Sequence, residues 1–128
     1  SGERKTADMP GKFCVSLTHA KDDPDRATVA FVVANAALGS DKDTLVFLST
    51  DGVHLSQKGV PETIREEGFA PLAELMTNFV KGGGKIFVCS PCFKKRKLDE
   101  KNLVEGSTIV GGAKLVEFLD GGAACVSY

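Results

Sequence analysis

Short apolar runs alternate with helix-like stretches along this chain, and that alternation confines it to a small set of folds. The first run is Phe13-Cys14-Val15-Ser16-Leu17. Asp23-Pro24-Asp25 then reads as a helix start: Asp23 can cap, Pro24 suits the first helical position, and Asp25 complements the dipole. Ala27 to Leu38 is apolar on nearly all sides, so this helix is expected to be heavily buried, with Gly39 ending it. The second strand spans Thr44 to Ser49. An irregular stretch from Thr50 to about Gly68 follows, with Asp51-Gly52 as a turn signal and Pro61 as a breaker. A connection this long in a small domain reads as a lid or binding loop.

The next helix runs from about Pro71 to Val80, with Leu72, Leu75, Met76, Phe79 and Val80 at helical spacing, and Gly82-Gly83-Gly84 stops it. Lys85 to Val88 is the third strand and Thr108-Ile109-Val110 a short fourth. A helix with Ala113, Leu115, Val116 and Leu119 facing inward leads to the last strand, Ala124 to Ser127. The pattern is that of an α/β fold with a five-stranded, mainly parallel sheet.

A length of 128 residues is one domain's worth, and 42% hydrophobic with 26% charged residues is a globular balance. Lys and Arg number 16 against 17 Asp and Glu, leaving no broad electrostatic reason to bind nucleic acid or an anionic membrane. No apolar run approaches the ~20 residues of a membrane span. Ser1 to Thr6 are polar and lack an initiating Met; residues 1–11 are expected to be disordered or vector-derived, ahead of a single domain at 12–128. Without a signal-peptide apolar region, a cytoplasmic protein is expected. There, four Cys are thiols, ligands or catalysts rather than structural bridges.

If the strands are parallel, every strand-to-helix loop emerges at one edge. That edge would gather Thr18 and His19, then Thr50, Asp51 and His54, then Cys89 and Cys92, then Gly111 and Gly112. Cys89 and Cys92 stand where a strand ends and a helix begins, with Pro91 at the first helical position. Unpaired N–H groups at a helix start stabilise a thiolate, and Lys94, Lys95 and Arg96 within the next two turns could push the same way, so the Cys89 thiol is expected below the free value of ~8.5. Cys89 is thus the expected nucleophile and Cys92, one helical turn along, the resolving thiol. Cys14 and Cys125 lie inside strands and are expected to be core.

Three chemistries can use the pair. Cys89-Ser90-Pro91-Cys92 has the form of a thioredoxin motif, but it follows the third strand, and no Pro occurs after Pro91 to build the cis-proline loop. A structural zinc site wants four ligands, and only His19 and His54 remain to complete one, so no metal is expected. Sulfur transfer through a persulfide needs a nucleophilic, reachable thiolate, which this position offers.

Phe87-Val88-Cys89-Ser90-Pro91-Cys92-Phe93-Lys94-Lys95-Arg96 resembles the strand–Cys–helix segment of the DsrE/DsrF-like sulfur-relay proteins. Leu103 to Gly106 and Val110 to Val116 resemble that family's C-terminal third, and Val46 to Val53 its second strand and following turn. The resemblance runs in order from about residue 12 to the end. It implies a three-layer α/β/α fold with a five-stranded parallel sheet, and homo- or hetero-oligomers, often trimers or hexamers. It also implies a persulfide on the Cys matching Cys89, passed to a partner protein. Here the chain departs from the relay members by carrying Cys92 as well, a pairing typical of a mostly uncharacterised branch.

The remaining residues admit plainer roles. His19 could polarise a ligand or serve as a base, or be a surface-loop His. Asp51-Gly52 fits turn chemistry. Gly111-Gly112 could bring backbone close to an anion, although helix–strand packing explains it as simply. Lys94 to Lys97, mixed with Asp99, Glu100 and Lys101, reads as a solvated helix face or as a docking surface for an acidic partner. Three functions stay open: a persulfide-based sulfur carrier or sulfurtransferase without a cofactor, served by a donor or acceptor protein; a non-catalytic ligand-binding or interaction module; and a Cys89–Cys92 redox switch.

Overall fold

The computed structural model describes residues 11–128. The expected disordered or vector-derived segment therefore lies, apart from Gly11, outside the described residues. The chain runs β1 (Lys12–Leu17), α1 (Pro24–Gly39), β2 (Asp43–Leu48), two 3-10 helices (Thr50–Ser56 and Pro61–Thr63), α2 (Leu72–Lys81) and β3 (Lys85–Cys89). It continues through α3 (Ser90–Lys95), β4 (Ser107–Val110), α4 (Gly112–Asp120) and β5 (Ala124–Ser127). All four strand pairings are parallel, in the order β4-β3-β2-β1-β5.

The chain steps outward from β1 to β4 and then returns across the sheet to place β5 beside β1. A right-handed crossover in the opposite direction puts its helix on the opposite face. Helices α1 and α2 accordingly cover one face, where Val15, Leu17, Val46, Leu48, Ile86 and Val88 meet Ala30, Phe31, Ala34, Met76 and Phe79. Phe31 and Phe79 meet edge to face at 5.7 Å. The other face is thinner: Cys14, Leu45 and Phe47 meet Phe118 of α4. These are the expected α/β layers.

Local chemistry explains the main helix boundaries. Asp23 accepts from the Arg26 N–H at 3.1 Å and caps α1, with Pro24 in the first turn. Gly84 at the start of β3 touches the Phe79 ring; a Cβ there would lie 2.3 Å from it. Two expectations change. The stretch after β2 is not irregular, since its first turn packs as a 3-10 helix with Val53 and Leu55 buried. In α4 the inward residue is Phe118, while Ala113 and Val116 are exposed, Val116 at 66%. Nine residues over one short sheet face leave room for one deep anchor.

Candidate thiol site at the sheet edge

The parallel sheet brings the ends of its strands to one edge, as expected. Cys89 closes β3, its Cα paired in register with Val110, so Gly111 follows directly beside it. Cys89 then serves as the extended residue before α3, and Pro91 sits in that helix's first turn. Both Cys89 and Cys92 are half-buried free thiols.

Their protonation preferences run opposite to the expectation. Burial pushes the Cys89 thiol up; the Cys92 N–H works against that, while the adjacent Cys92 sulfur adds to it by hydrogen bond and charge. For Cys92, burial also raises, but it is outweighed: the Thr50 N–H, the Cys89 thiol, and the charges of Arg96 and Lys95 together hold it below the ordinary thiol range. Helix α3 has only six residues, so its dipole contributes little at Cys89. Of the two thiols, Cys92 is therefore the one whose ionisation these contacts favour, and Cys89 the one they hold protonated.

The Thr50 contact comes from a strained loop. Thr50 has φ of 48°, a left-handed conformation that a β-branched residue adopts at a cost of about 1–2 kcal/mol. Its single hydroxyl proton is shared between the Thr18 carbonyl at 3.0 Å and that of Ser49 at 2.8 Å, which anchors it. Gly52 makes the turn fit: a Cβ there would stand 2.2 Å from the Leu17 carbonyl oxygen. Arg96 completes the support. Its Nε and Nη2 donate to Asp51 Oδ1 at 3.2 and 3.1 Å, and its Nη1 to the Cys92 carbonyl at 3.2 Å.

The other expected site residues scatter along the edge. His19 Nδ1 faces Asp22 Oδ2 at 2.6 Å, on β1's side of the sheet. Two strand spacings, about 10 Å, separate that strand from β3. Burial opposes ionisation of Asp22, but the Ala20 N–H and His19 hold its carboxyl below the usual range. His54 and Asp51, with Ala20, Lys21, Asp22 and Val60, line a cavity of about 350 Å³. Gly111 and Gly112 are exposed, and a Cβ on either would meet nothing within 4 Å, so no close backbone approach demands glycine there. Among the described residues no three His, Cys, Asp or Glu side chains converge to hold a metal ion.

Arg96, expected with Lys94 and Lys95 to lower a thiol from within two turns, does so at Cys92, but its contacts with Asp51 and the Cys92 carbonyl were not anticipated. Its signal was the four-residue spacing from Cys92, which puts the two on one helical face. Cys125 also departs from expectation: it is exposed, because β5 is an edge strand, whereas Cys14 is buried as expected.

Sequence and fold comparisons agree with this fold. Residues 11–128 match the DsrE/DsrF-like family. The chain belongs to that family. Two uncharacterised proteins of Methanocaldococcus jannaschii are similar to it. One is 32% identical over 95 residues, covering 74% of this chain and 34% of that protein, so the chain spans about a third of that relative. The other is 31% identical, covering 84% of this chain and 91% of that protein. Two solved structures share the fold. A protein of unknown function from Methanobacterium thermoautotrophicum superposes with a TM-score of 0.73 at 15% identity, covering 92% of this DsrE-like chain and 99% of that one. The YchN protein from E. coli gives 0.68 at 14%, covering 94% and 100%. No helix among the described residues of this DsrE-like chain is long and apolar enough to cross a membrane.

Proposed function

We propose that this DsrE-like protein carries sulfur as a persulfide on the Cys89/Cys92 pair, with Cys92 as the sulfur-bearing thiolate and Cys89 as the resolving thiol. The observation that carries the reading is the convergence on the Cys92 sulfur of the Thr50 N–H, the Cys89 S–H and the Arg96 charge. The Cys92 thiolate attacks the outer sulfur of a donor persulfide. The donor's S–S bond breaks, its inner sulfur leaves as a thiolate, and Cys92 keeps the outer sulfur and its proton as Cys–S–SH. An acceptor thiolate then takes that outer sulfur and restores the Cys92 thiolate. Alternatively, Cys89 attacks the inner Cys92 sulfur, giving a Cys89–Cys92 disulfide and releasing hydrogen sulfide, whose second proton comes from Cys89.

Donor and acceptor are proteins or small persulfides in a reducing compartment such as the cytoplasm, with no cofactor involved. Self-association as a trimer or hexamer belongs to the same proposal. It is supported by the thin α4 layer and by Val116, which is 66% exposed.

Incubation with a glutathione persulfide donor, followed by intact mass and peptide mapping, tests the reading. The expected result is a gain of about 32 Da, one sulfur atom, on Cys92. Cys92→Ser abolishes it, and Cys89→Ser leaves an adduct that persists longer. No adduct where both thiols are shown free overturns the proposal. The cavity beside Asp51 and His54 favours a second reading, a ligand-binding module; unchanged biological activity of the Cys89→Ser and Cys92→Ser variants would select it. Ready formation of a Cys89–Cys92 disulfide without sulfur uptake would select a redox switch instead.

A further inference from the structure

Strand β5 lies at the sheet edge beside β1, and the parallel register sets Cys125 directly across from Cys14. Both side chains alternate onto the α4 face, because the flanking Val15 and Val126 point into the α1/α2 core. Cys14 is fully buried among Leu45, Phe47 and Phe118, and Cys125 is exposed. Burial, then the neighbouring Cys125 thiol and its charge, push the Cys14 thiol up to about 12, while the Cys125 S–H faces the Val126 carbonyl at 3.9 Å. Adjacent strands stand about 4.8 Å apart, inside the Cα separation of roughly 4.4–6.8 Å that a disulfide needs. Strand β5 is four residues long and paired on one side, so it can adjust to the bond.

We propose that Cys125 and Cys14 form a second oxidisable thiol pair, separate from Cys89/Cys92, in which Cys125 reacts with a hydroperoxide and Cys14 closes a β1–β5 disulfide. In the first step the Cys125 thiolate attacks the distal oxygen of the hydroperoxide. The O–O bond breaks, Cys125 becomes a sulfenic acid, and the peroxide leaves as an alcohol or water. In the second step the Cys14 sulfur attacks the Cys125 sulfur. The S–O bond breaks, and hydroxide leaves as water with the proton of Cys14. Two thiols lose two electrons and two protons, and one peroxide is reduced. Burial divides the labour: the exposed sulfur meets the oxidant, while the buried one stays an intact thiol until its neighbour is oxidised.

The test uses the full chain and a Cys89→Ser/Cys92→Ser variant, each treated with a small excess of hydrogen peroxide, alkylated under denaturing conditions and digested without reductant. The expected result in both is a peptide pair joined through Cys14 and Cys125, lighter by two hydrogens, with neither sulfur alkylated. Cys125→Ser, at an exposed position, abolishes the cross-link and leaves Cys14 alkylated. Sulfinic acid at Cys125 with Cys14 free, a disulfide joining two chains through Cys125, or no oxidation of either residue would each overturn the proposal. The mapping in the unaltered chain decides the matter even if the double variant folds poorly.

Discussion

Gly52→Ala joins the fold to the thiol chemistry in one perturbation. The added methyl would sit 2.2 Å from the Leu17 carbonyl oxygen and 3.0 Å from its carbon. Both neighbours are backbone of the inner strand β1, and Leu17 is fully buried, so neither can step aside as a side chain would. Ordinary van der Waals contact requires the loop to move off the strand by about 1 Å. That movement strains or breaks the Ser49 N–H bond to the Leu17 carbonyl, now 3.1 Å long. Overpacking of this kind costs about 1–3 kcal/mol and the hydrogen bond about 1 more, for an expected loss of about 2–4 kcal/mol. A urea titration followed by circular dichroism should show the midpoint falling by about 1–2 M at unchanged slope. Gly39→Ala, where a Cβ would meet nothing within 4 Å, is the matched control and should be neutral or slightly stabilising. Because the same movement withdraws the Thr50 N–H, Cys92 alkylation should also shift to higher pH. A Gly52→Ala protein within about 0.5 kcal/mol of the parent, with unchanged alkylation, would refute the account of how this loop supports the thiolate.

Three further outcomes follow from the same contacts. Cys89→Ala removes an S–H donor to the Cys92 sulfur, so the pH midpoint of Cys92 alkylation by iodoacetamide should rise; a fall would contradict the assigned proton. Arg96→Gln removes a positive charge that lowers both thiols, so both alkylation midpoints should move up, more at low salt than at high. Its effect on stability should stay within about 1 kcal/mol, because Asp51 at the other end of the pair is 50% exposed. Phe79→Ala, which empties a fully buried site against Phe31 and Gly84, should lose about 3–5 kcal/mol by urea denaturation while leaving Cys92 reactivity in its folded state unchanged.

The order of elements was legible along the chain because each run carries its own period. Phe13 to Leu17 and Lys85 to Val88 read as strands, Leu72 to Val80 as a helix, and Cys89-Ser90-Pro91-Cys92 as the junction between a strand and a helix. Hydrophobic spacing and proline placement are local properties, and local structure follows them. The parallel edge that collects the loops followed from the alternation of strands and helices.

What the tertiary structure alone decided is where charge and water go. Which sulfur ionises more readily depends on an amide from the loop after β2 and on Arg96 folding back to Asp51, contacts between segments distant in sequence. Cys125 and Cys14 both sit in short strands, yet one is exposed and the other buried, because β5 is an edge strand and β1 an inner one. The one-dimensional pattern sets which faces are apolar. Only the packed sheet determines which of them remain in contact with solvent, and which dipoles a thiol meets there.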